Sequence, residues 1–363
     1  MNRQQSIFDK DNYTPTKPFS FTEFCSGIGG FRIGLESIGG KVLLSSEIDK
    51  YAIQTYKHWF NEDSEGDLFN FSIKDIPHHD ILTAGFPCQP FSVAGVVSNR
   101  HWDKTKTKDQ KKGTGFEYTD NAEGGEQGQI FYGLLNIIKK KRPKAIILEN
   151  VRGLISHDKT RTWKIIQEEL KKANYDIHFK VIDAVHWVPQ HRRRIFIVGF
   201  DKKQIDTKQE GYFVFPSEPI TELRIGDILQ KRVQDKYTLR DGTWNSLQTI
   251  RARNRSLPKG KKKGFGFSLV DRDGPSRTLT KRYFKDGAEI LIEQKDKNPR
   301  RLTPLEGLRL MGFNKIEKKY KDPKEIFTVS DSQAFRQLGN AVVPDVVEAV
   351  GREVLRTLEN NQI

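Results

Sequence analysis

The sequence predicts an α/β protein, a doubly wound, mostly parallel sheet carrying a second, smaller domain. Three observations predict it. Strand-like and helix-like runs alternate from Phe19 to about residue 200, the pattern of a parallel sheet with helical crossovers. The first strand runs straight into a glycine turn and a helix. From 201 to 299 the alternation gives way to short irregular runs, many glycines and dense positive charge. The 363 residues suffice for one large domain with its own core and a smaller one. Lys+Arg number 62 against 47 Asp+Glu, a net charge of +15, which points to a polyanion such as nucleic acid; plain solubility is the bland alternative. The two cysteines, Cys25 and Cys88, allow no disulfide framework and no cysteine zinc site. No metal site is expected, and a reducing, intracellular setting fits. No run approaches the roughly 20 apolar residues of a membrane span, and the polar arm before Pro18 does not read as a signal peptide.

Phe19 to Phe24 alternates as a strand, Cys25-Ser26-Gly27-Ile28-Gly29-Gly30 turns, and Phe31, Leu35 and Ile38 recur at helical spacing up to Gly39-Gly40. Glycines there let backbone approach a ligand, and the helix start offers free N–H groups. Lys41 to Ser46 is a second strand closed by Glu47. An acid about 20 positions after a glycine turn, at the end of strand two, is where such folds bind ribose hydroxyls. Together these suggest an adenosine-bearing cofactor, although a glycine turn alone serves packing as readily. Asp67-Leu68 follows a polar turn and is either placed for a base edge or an ordinary loop acid.

Asp80 to Ala84 is an apolar run that reads as a buried strand, and Gly85-Phe86-Pro87-Cys88-Gln89-Pro90-Phe91-Ser92 leaves it at the C-terminal end, where open α/β sheets place ligands. Pro87 and Pro90 stiffen the loop. Cys88 is therefore a candidate nucleophile or, equally on spacing alone, a small buried hydrophobe. Residues 97–127 are polar and glycine-rich, with Arg100, Lys104, Lys106, Lys108, Lys111 and Lys112: a mobile basic lid, or a solvated insertion. Ile130, Leu134, Ile137 and Ile138 mark a helix. Lys144 to Leu148 is a buried strand ending in Glu149-Asn150-Val151, so Glu149 leaves the sheet at the edge that carries Cys88. Thr160 to Asn174 is helical, and His178 to Ile182 and Arg194 to Phe200 are strands. Between them lies Gln190-His191-Arg192-Arg193-Arg194, whose adjacent arginines need an anionic or acceptor partner. In the irregular region Arg251, Arg253, Arg255, Lys259 and Lys261 to Lys263 lie near Phe265, Phe267, Tyr283 and Phe284, a mixture suited to phosphate, base-edge and stacking contacts. Thr303 to Met311 reads as a helix capped by Thr303, with Glu306 three residues on. Ser330 to Leu358 reads as helical, opened by a turn at Gln337 to Asn340.

These stretches, in this order, resemble the motifs of the DNA (cytosine-5) methyltransferases, and the likeness covers nearly everything after residue 18. Phe24 to Gly30 resembles the family's cofactor loop, Gly85 to Ser92 its nucleophile loop, and Glu149-Asn150-Val151 its catalytic glutamate motif. Gln190-x-Arg192-x-Arg194 is similar to its arginine motif, Arg300 to Phe313 to the segment closing its recognition domain, and Gln337 to Pro344 to its last motif. The resemblance implies a Rossmann-like methyltransferase sheet built from 19–205 and 325–363, a target-recognition domain and hinge over 206–324, and a polar arm over 1–18. It implies S-adenosylmethionine as methyl donor and double-stranded DNA as substrate, with the target cytosine flipped out of the duplex.

The resemblance also carries roles onto matching positions. Cys88 would add to carbon 6 of cytosine, Glu149 with a raised pKa would stabilise N3, Arg194 would bond O2, and Arg192 would help hold the site. Cys25, Gly27, Ile28, Gly29, Gly30, Glu47, Ile48, Asp67, Leu68, Pro87, Ile130 and Asn340 would line the cofactor pocket, with Asp67 on the adenine amino group. Cys25 and Ile48 stand where aromatic residues are usual, so a less aromatic adenine sandwich is expected; Gln127 stands where many members have Arg. Gln89, Ser92, Arg251, Arg253, Arg255, Lys281, Arg282 and Tyr283 would contact DNA. Lys236 to Leu239, Gly264 to Phe267 and Arg277 to Gly287 resemble the Dcm-like subgroup, which implies a CC-N-GG or CC-W-GG site. A bacterial or phage enzyme follows, monomeric, cytoplasmic and nucleoid-associated, and paired with a restriction endonuclease. Three rivals are a tRNA cytosine-5 methyltransferase, a catalytically idle DNA-binding regulator and a nicotinamide-dependent dehydrogenase. The basic insert before residue 300 argues against the first, intact Cys88, Glu149 and Arg194 against the second, and the unexplained nucleophile loop against the third.

Overall fold

A computed structural model describes residues 15–64, 66–87, 126–255, 267–285 and 287–363. Cys88, Gln89, Ser92 and nearly all of the expected lid lie outside them, as do Lys259, Lys261 to Lys263 and Phe265. The described residues fall into two compact units. One holds the chain through Ile182, with Arg193–Ser217 and Pro344–Ile363; the other holds Asp183–Arg192 and Glu218–Val343.

The first unit is built on β1 (Phe19–Phe24), α1 (Gly30–Glu36), β2 (Gly40–Ser46), α2 (Lys50–Phe60), β3 (Ile81–Gly85), α3 (Glu126–Lys141), β4 (Ala145–Val151), α4 (Arg161–Lys172), β5 (Tyr175–Asp183) and β6 (Arg193–Asp201). The six strands form one sheet in the order β2-β1-β3-β4-β6-β5. β1 pairs in parallel with β2 and β3, and β3 with β4; β6 runs antiparallel to β4. The sheet is thus mostly parallel, as expected. Its central strands are apolar on both faces because both faces are covered: Ala145, Ile146, Ile147 and Leu148 are all fully buried. The chain passes from β1 outward to β2, then back across β1 to β3. Strand order therefore reverses beside β1, the place where open sheets form a ligand crevice.

The second unit has little regular structure. It holds α5 (Asp241–Arg255), the short antiparallel pair β7 (Ile292–Gln294) and β8 (Lys297–Arg300), α6 (Pro304–Leu310), α7 (Asn314–Glu317) and α8 (Asp331–Asn340). Thr303 and Glu306 form the capping box read from the sequence. Two readings change. The region expected to be strand-like contains α5, a helix with no fully buried residue and so no apolar stripe strong enough to announce it. Gln337 to Asn340 is the last turn of α8 rather than an opening turn. The break falls at Ala341, which is extended (φ −67, ψ 151), three residues before Pro344 opens α9 (Pro344–Asn360). α9 returns to the first unit and packs on α1. A Cβ at Gly34 would stand 2.7 Å from the Pro344 carbonyl oxygen and from the Val347 side chain.

The units meet the chain at different points from the expected domain limits of 205/206 and 324/325. Residues 206–217 group with the sheet because the Tyr212 hydroxyl donates to Asp176 (2.8 Å) and Asp206 N–H to the Asn361 carbonyl (2.8 Å). α8 groups with the second unit because Phe335 meets the Tyr283 ring edge-on at 5.0 Å and Asp331 pairs with Lys236 (2.8 Å).

Candidate active site

β1, β2, β3 and β4 all end at one edge of the sheet, and β6 starts there. After β1 the chain turns through Cys25 and Gly27, both left-handed at φ 52 and 56. Gly27 N–H donates to Glu47 Oε2 (2.8 Å), while Glu47 Oε1 accepts from Ile48 and Asp49 N–H (2.8 and 2.9 Å). The Glu47 carboxylate therefore ties the glycine turn to the end of β2. Two serines bring in the next loop: the Ser26 and Ser64 hydroxyls pair at 3.0 Å, and Ser46 Oγ donates to the Gly66 carbonyl (2.7 Å). Asp67 then caps the short turn Leu68–Asn70, its Oδ1 accepting Phe69 N–H (3.0 Å). Burial first, then the Glu47 and Asp67 carboxylates, push the Cys25 thiol well above its ordinary pKa. Such a thiol stays protonated and is no nucleophile.

These residues fit an adenosine-bearing methyl donor. A Cβ built on Gly27 would meet nothing within 4 Å, so open space lies beside that backbone. Ile48 is 66% exposed at the end of β2. Each Glu47 oxygen has two lone pairs, and Asp67 Oδ2 accepts no hydrogen bond from the described residues. Other expected contacts are narrower than foreseen. The free N–H groups at the start of α1 are partly taken: Arg32 N–H donates to Glu23 Oε1 (3.3 Å). Burial raises the Glu23 carboxyl to about 8. Leu68 and Ile28 bury their side chains in the core, leaving only their backbone for a ligand. Ile130 is half-buried against the core cluster of Leu68 and Phe86. Asn340 is exposed at the end of α8, in the second unit.

At the β3–β4 end Gly85 pairs with Glu149, and Val151 with Arg194 of β6. Glu149 Oε1 lies 3.1 Å from Arg194 Nε, with side chains only 10% and 17% exposed. Partial exclusion of water strengthens such a pair relative to a surface one. Phe86 is buried beside Phe131, and its carbonyl accepts from Asn150 Nδ2 (2.8 Å). Pro87 leaves that anchored root half-buried. Asn150 was read only as part of the Glu149-Asn150-Val151 motif, with no role of its own; its signal was a polar amide next to Glu149 at the end of an apolar strand.

Two expected site residues are buried among protein partners. Arg192, grouped with the catalytic residues and expected to help hold the site, is buried at 2% exposure, and its guanidinium donates to the carbonyls of Leu279 (3.0 Å), Gly339 (3.0 Å) and Ala341 (2.7 Å). It is a bracket inside the second unit, a positioning residue for the chain around Asn340. Tyr283, expected on DNA, is fully buried; its hydroxyl donates to the Ile290 carbonyl (2.7 Å) and accepts Leu302 N–H (2.7 Å). A buried ring with both hydroxyl roles filled has nothing left for a duplex. Lys281 and Arg282 beside it are exposed, as are Arg251, Arg253 and Arg255 on α5. Gln190, read only as the first residue of the arginine motif, has a part of its own: its Nε2 donates to the Leu310 carbonyl (2.6 Å) and its Oε1 accepts Leu279 N–H (3.1 Å).

Residues 19–356 match the family model of the C-5 cytosine-specific DNA methylases. The chain belongs to that family. This C-5 cytosine methylase is 40% identical to the type II methyltransferase M1.ScrFI of Lactococcus lactis subsp. cremoris, over 96% of this chain and 80% of that protein. It is 39% identical to the type II methyltransferase M.SsoII of Shigella sonnei, over 94% and 81%, and 36% identical to the DNA-cytosine methyltransferase of Escherichia coli (strain K12), over 93% and 78%. Among solved structures, S. pombe Dnmt2 methyltransferase has the same fold, with a TM-score of 0.65 at 18% identity over 95% of this chain and 99% of that one. No described helix of the methylase is long and apolar enough to cross a membrane.

Proposed function

We propose that this methylase transfers a methyl group from S-adenosylmethionine to carbon 5 of a flipped cytosine in a specific duplex site, through a covalent adduct on Cys88. The observation that carries the reading is the Glu149–Arg194 pair across from Gly85, three residues before Cys88. When bound, S-adenosylmethionine supplies an electrophilic methyl group on a sulfonium. Gly27, Glu47, Ile48 and Asp67 would hold it, Glu47 at the ribose hydroxyls and Asp67 Oδ2 at the adenine amino group.

Cytosine carbon 5 is a weak nucleophile until the ring loses its aromaticity. The Cys88 thiolate adds to carbon 6, which pushes an electron pair through the ring and makes carbon 5 enamine-like. Glu149 meets the charge arriving at N3 with a proton or hydrogen bond, and Arg194 donates to O2. Carbon 5 would take the methyl as the sulfonium–methyl bond breaks and S-adenosylhomocysteine leaves; the carbon 5 proton then leaves to a base, the carbon 6–sulfur bond breaks, and the thiolate returns. The base cannot be reached within a stacked duplex, so it is flipped. Asn150 holds the root of the nucleophile loop through the Phe86 carbonyl. The names of the type II relatives support a role in protecting DNA from a partner endonuclease, in a bacterial cytoplasm. The second unit would read the site, of CC-N-GG or CC-W-GG type.

The test is transfer of labelled methyl from S-adenosylmethionine to duplex DNA and, in parallel, to tRNA. Label in DNA that disappears with Cys88→Ala is the expected result. Label confined to tRNA, or undiminished by Cys88→Ala, contradicts it.

A further inference from the structure

The exposure pattern along α5 divides the helix into two faces. Trp244, Leu247, Ile250 and Asn254 are half-buried, at a spacing that puts them on one side. That side is fixed: the Phe267 ring meets Trp244 edge-on at 4.7 Å and lies 4.6 Å from the Arg251 guanidinium. The N-terminal end is pinned where Asn298 Nδ2 donates to Asp241 Oδ1 (2.7 Å) and to the Leu239 carbonyl (3.0 Å). The adjoining side carries Asn245, Gln248, Ala252 and Arg255, all exposed, with Gln248 one turn on from Trp244 and Arg255 one turn on from Arg251. Their spacing of i, i+3, i+7 and i+10 makes one stripe.

A solvated helix face usually mixes both signs of charge in pairs three or four residues apart. Here no acidic residue stands between Asp241 and Asp271, while Arg251, Arg253 and Arg255 fall within that interval. The outer stripe is two amides and a guanidinium around an alanine. That is the chemistry of base-edge reading: Arg is bidentate to guanine O6 and N7, Asn or Gln to adenine N6 and N7, and Ala contacts the thymine methyl. A major groove roughly 12 Å wide admits one such helix.

We infer that α5 is the base-reading element of this methylase, entering the major groove with Asn245, Gln248 and Arg255 as specificity-determining residues. The inference rests on duplex DNA being the substrate, and it names residues that the irregular stretches of the same unit would otherwise be assumed to supply. Arg251 is the packed member of the arginine set, and Arg255 the reading one.

The test uses the full chain with Gln248→Ala, Arg255→Ala and Arg255→Lys. Alanine is a good helix former, and Arg255→Lys keeps the charge while losing the bidentate fork, so a folding defect in one variant leaves the others informative. Each protein methylates a duplex pool with randomised bases around the target cytosine, and the modified sites are sequenced after bisulfite treatment. Both Arg255 variants should lose about tenfold or more on the preferred site and accept other bases at one position; Gln248→Ala should relax a different position. Variants that keep the wild-type base preference at every position overturn the inference. Absence of label from DNA with the wild-type protein would instead overturn the substrate reading beneath it.

Discussion

Asn150 holds the chain leading to Cys88 through one buried hydrogen bond, to the Phe86 carbonyl. Removing such a partner leaves a buried acceptor unsatisfied, at a cost of about 1–3 kcal/mol. On the proposed role of Cys88, Asn150→Ala should lower kcat roughly 10- to 100-fold by loosening the placement of that residue, with equilibrium binding of the proposed donor S-adenosylmethionine unchanged. Equal losses in both would place Asn150 in the cofactor pocket instead. Glu23 gives a second residue-scale prediction. Its folded-state pKa is raised to about 8, so folding favours its protonated form. The stability this contributes is complete below the unfolded-state value near 4.3 and is lost as pH rises through about 8. Thermal melts should show Tm falling between those limits and a flatter profile for Glu23→Gln. The placement of Glu149 at the end of β4, paired with Gly85 of β3, was legible because both lie in short contiguous motifs that close apolar strands. The partners of Arg192 were not legible, because the carbonyls of Leu279 and Gly339 lie 87 and 147 positions away.

Helices with a strong local signal were read well, and those held by thin packing were not. Thr303 and Glu306 announced the start of α6 by spacing alone, and the capping box is present. Its threonine hydroxyl also donates to Gln230 Oε1 (2.6 Å). Thr303→Ala should cost about 1 kcal/mol or somewhat more, read as a shift of the urea midpoint at constant m-value. α1 and α9 offer a steeper case. A methyl at Gly34 would meet the Pro344 carbonyl at 2.7 Å, and overpacking of this kind costs about 1–3 kcal/mol. Gly34→Ala should therefore lower Tm while leaving the far-UV dichroism of the folded protein unchanged. α5 escaped sequence reading because its only inward side chains are half-buried, and its polar residues look the same in a loop.

At the scale of the molecule, the parallel sheet was legible because its strands are apolar on both faces and separated by helical periods. The limits of the two units were not, since they depend on contacts such as Phe335 with Tyr283 and Asp331 with Lys236. The net charge of +15 governs encounter with DNA more than fold. The logarithm of duplex affinity should fall linearly with the logarithm of salt concentration, and Lys281→Ala should lower that slope by about one; an unchanged slope would remove Lys281 from the phosphate contacts. The chemistry at the sheet edge has a direct probe in duplex DNA carrying 5-fluorocytosine at the target position. Fluorine cannot leave carbon 5 as a proton does, so an adduct on carbon 6 persists. With S-adenosylmethionine present, wild-type protein should form a complex that survives denaturing electrophoresis, and Cys88→Ala should form none. A wild-type protein that methylates ordinary duplex yet gives no denaturant-stable complex, or a Cys88→Ala variant that still forms one, would contradict covalent catalysis by Cys88.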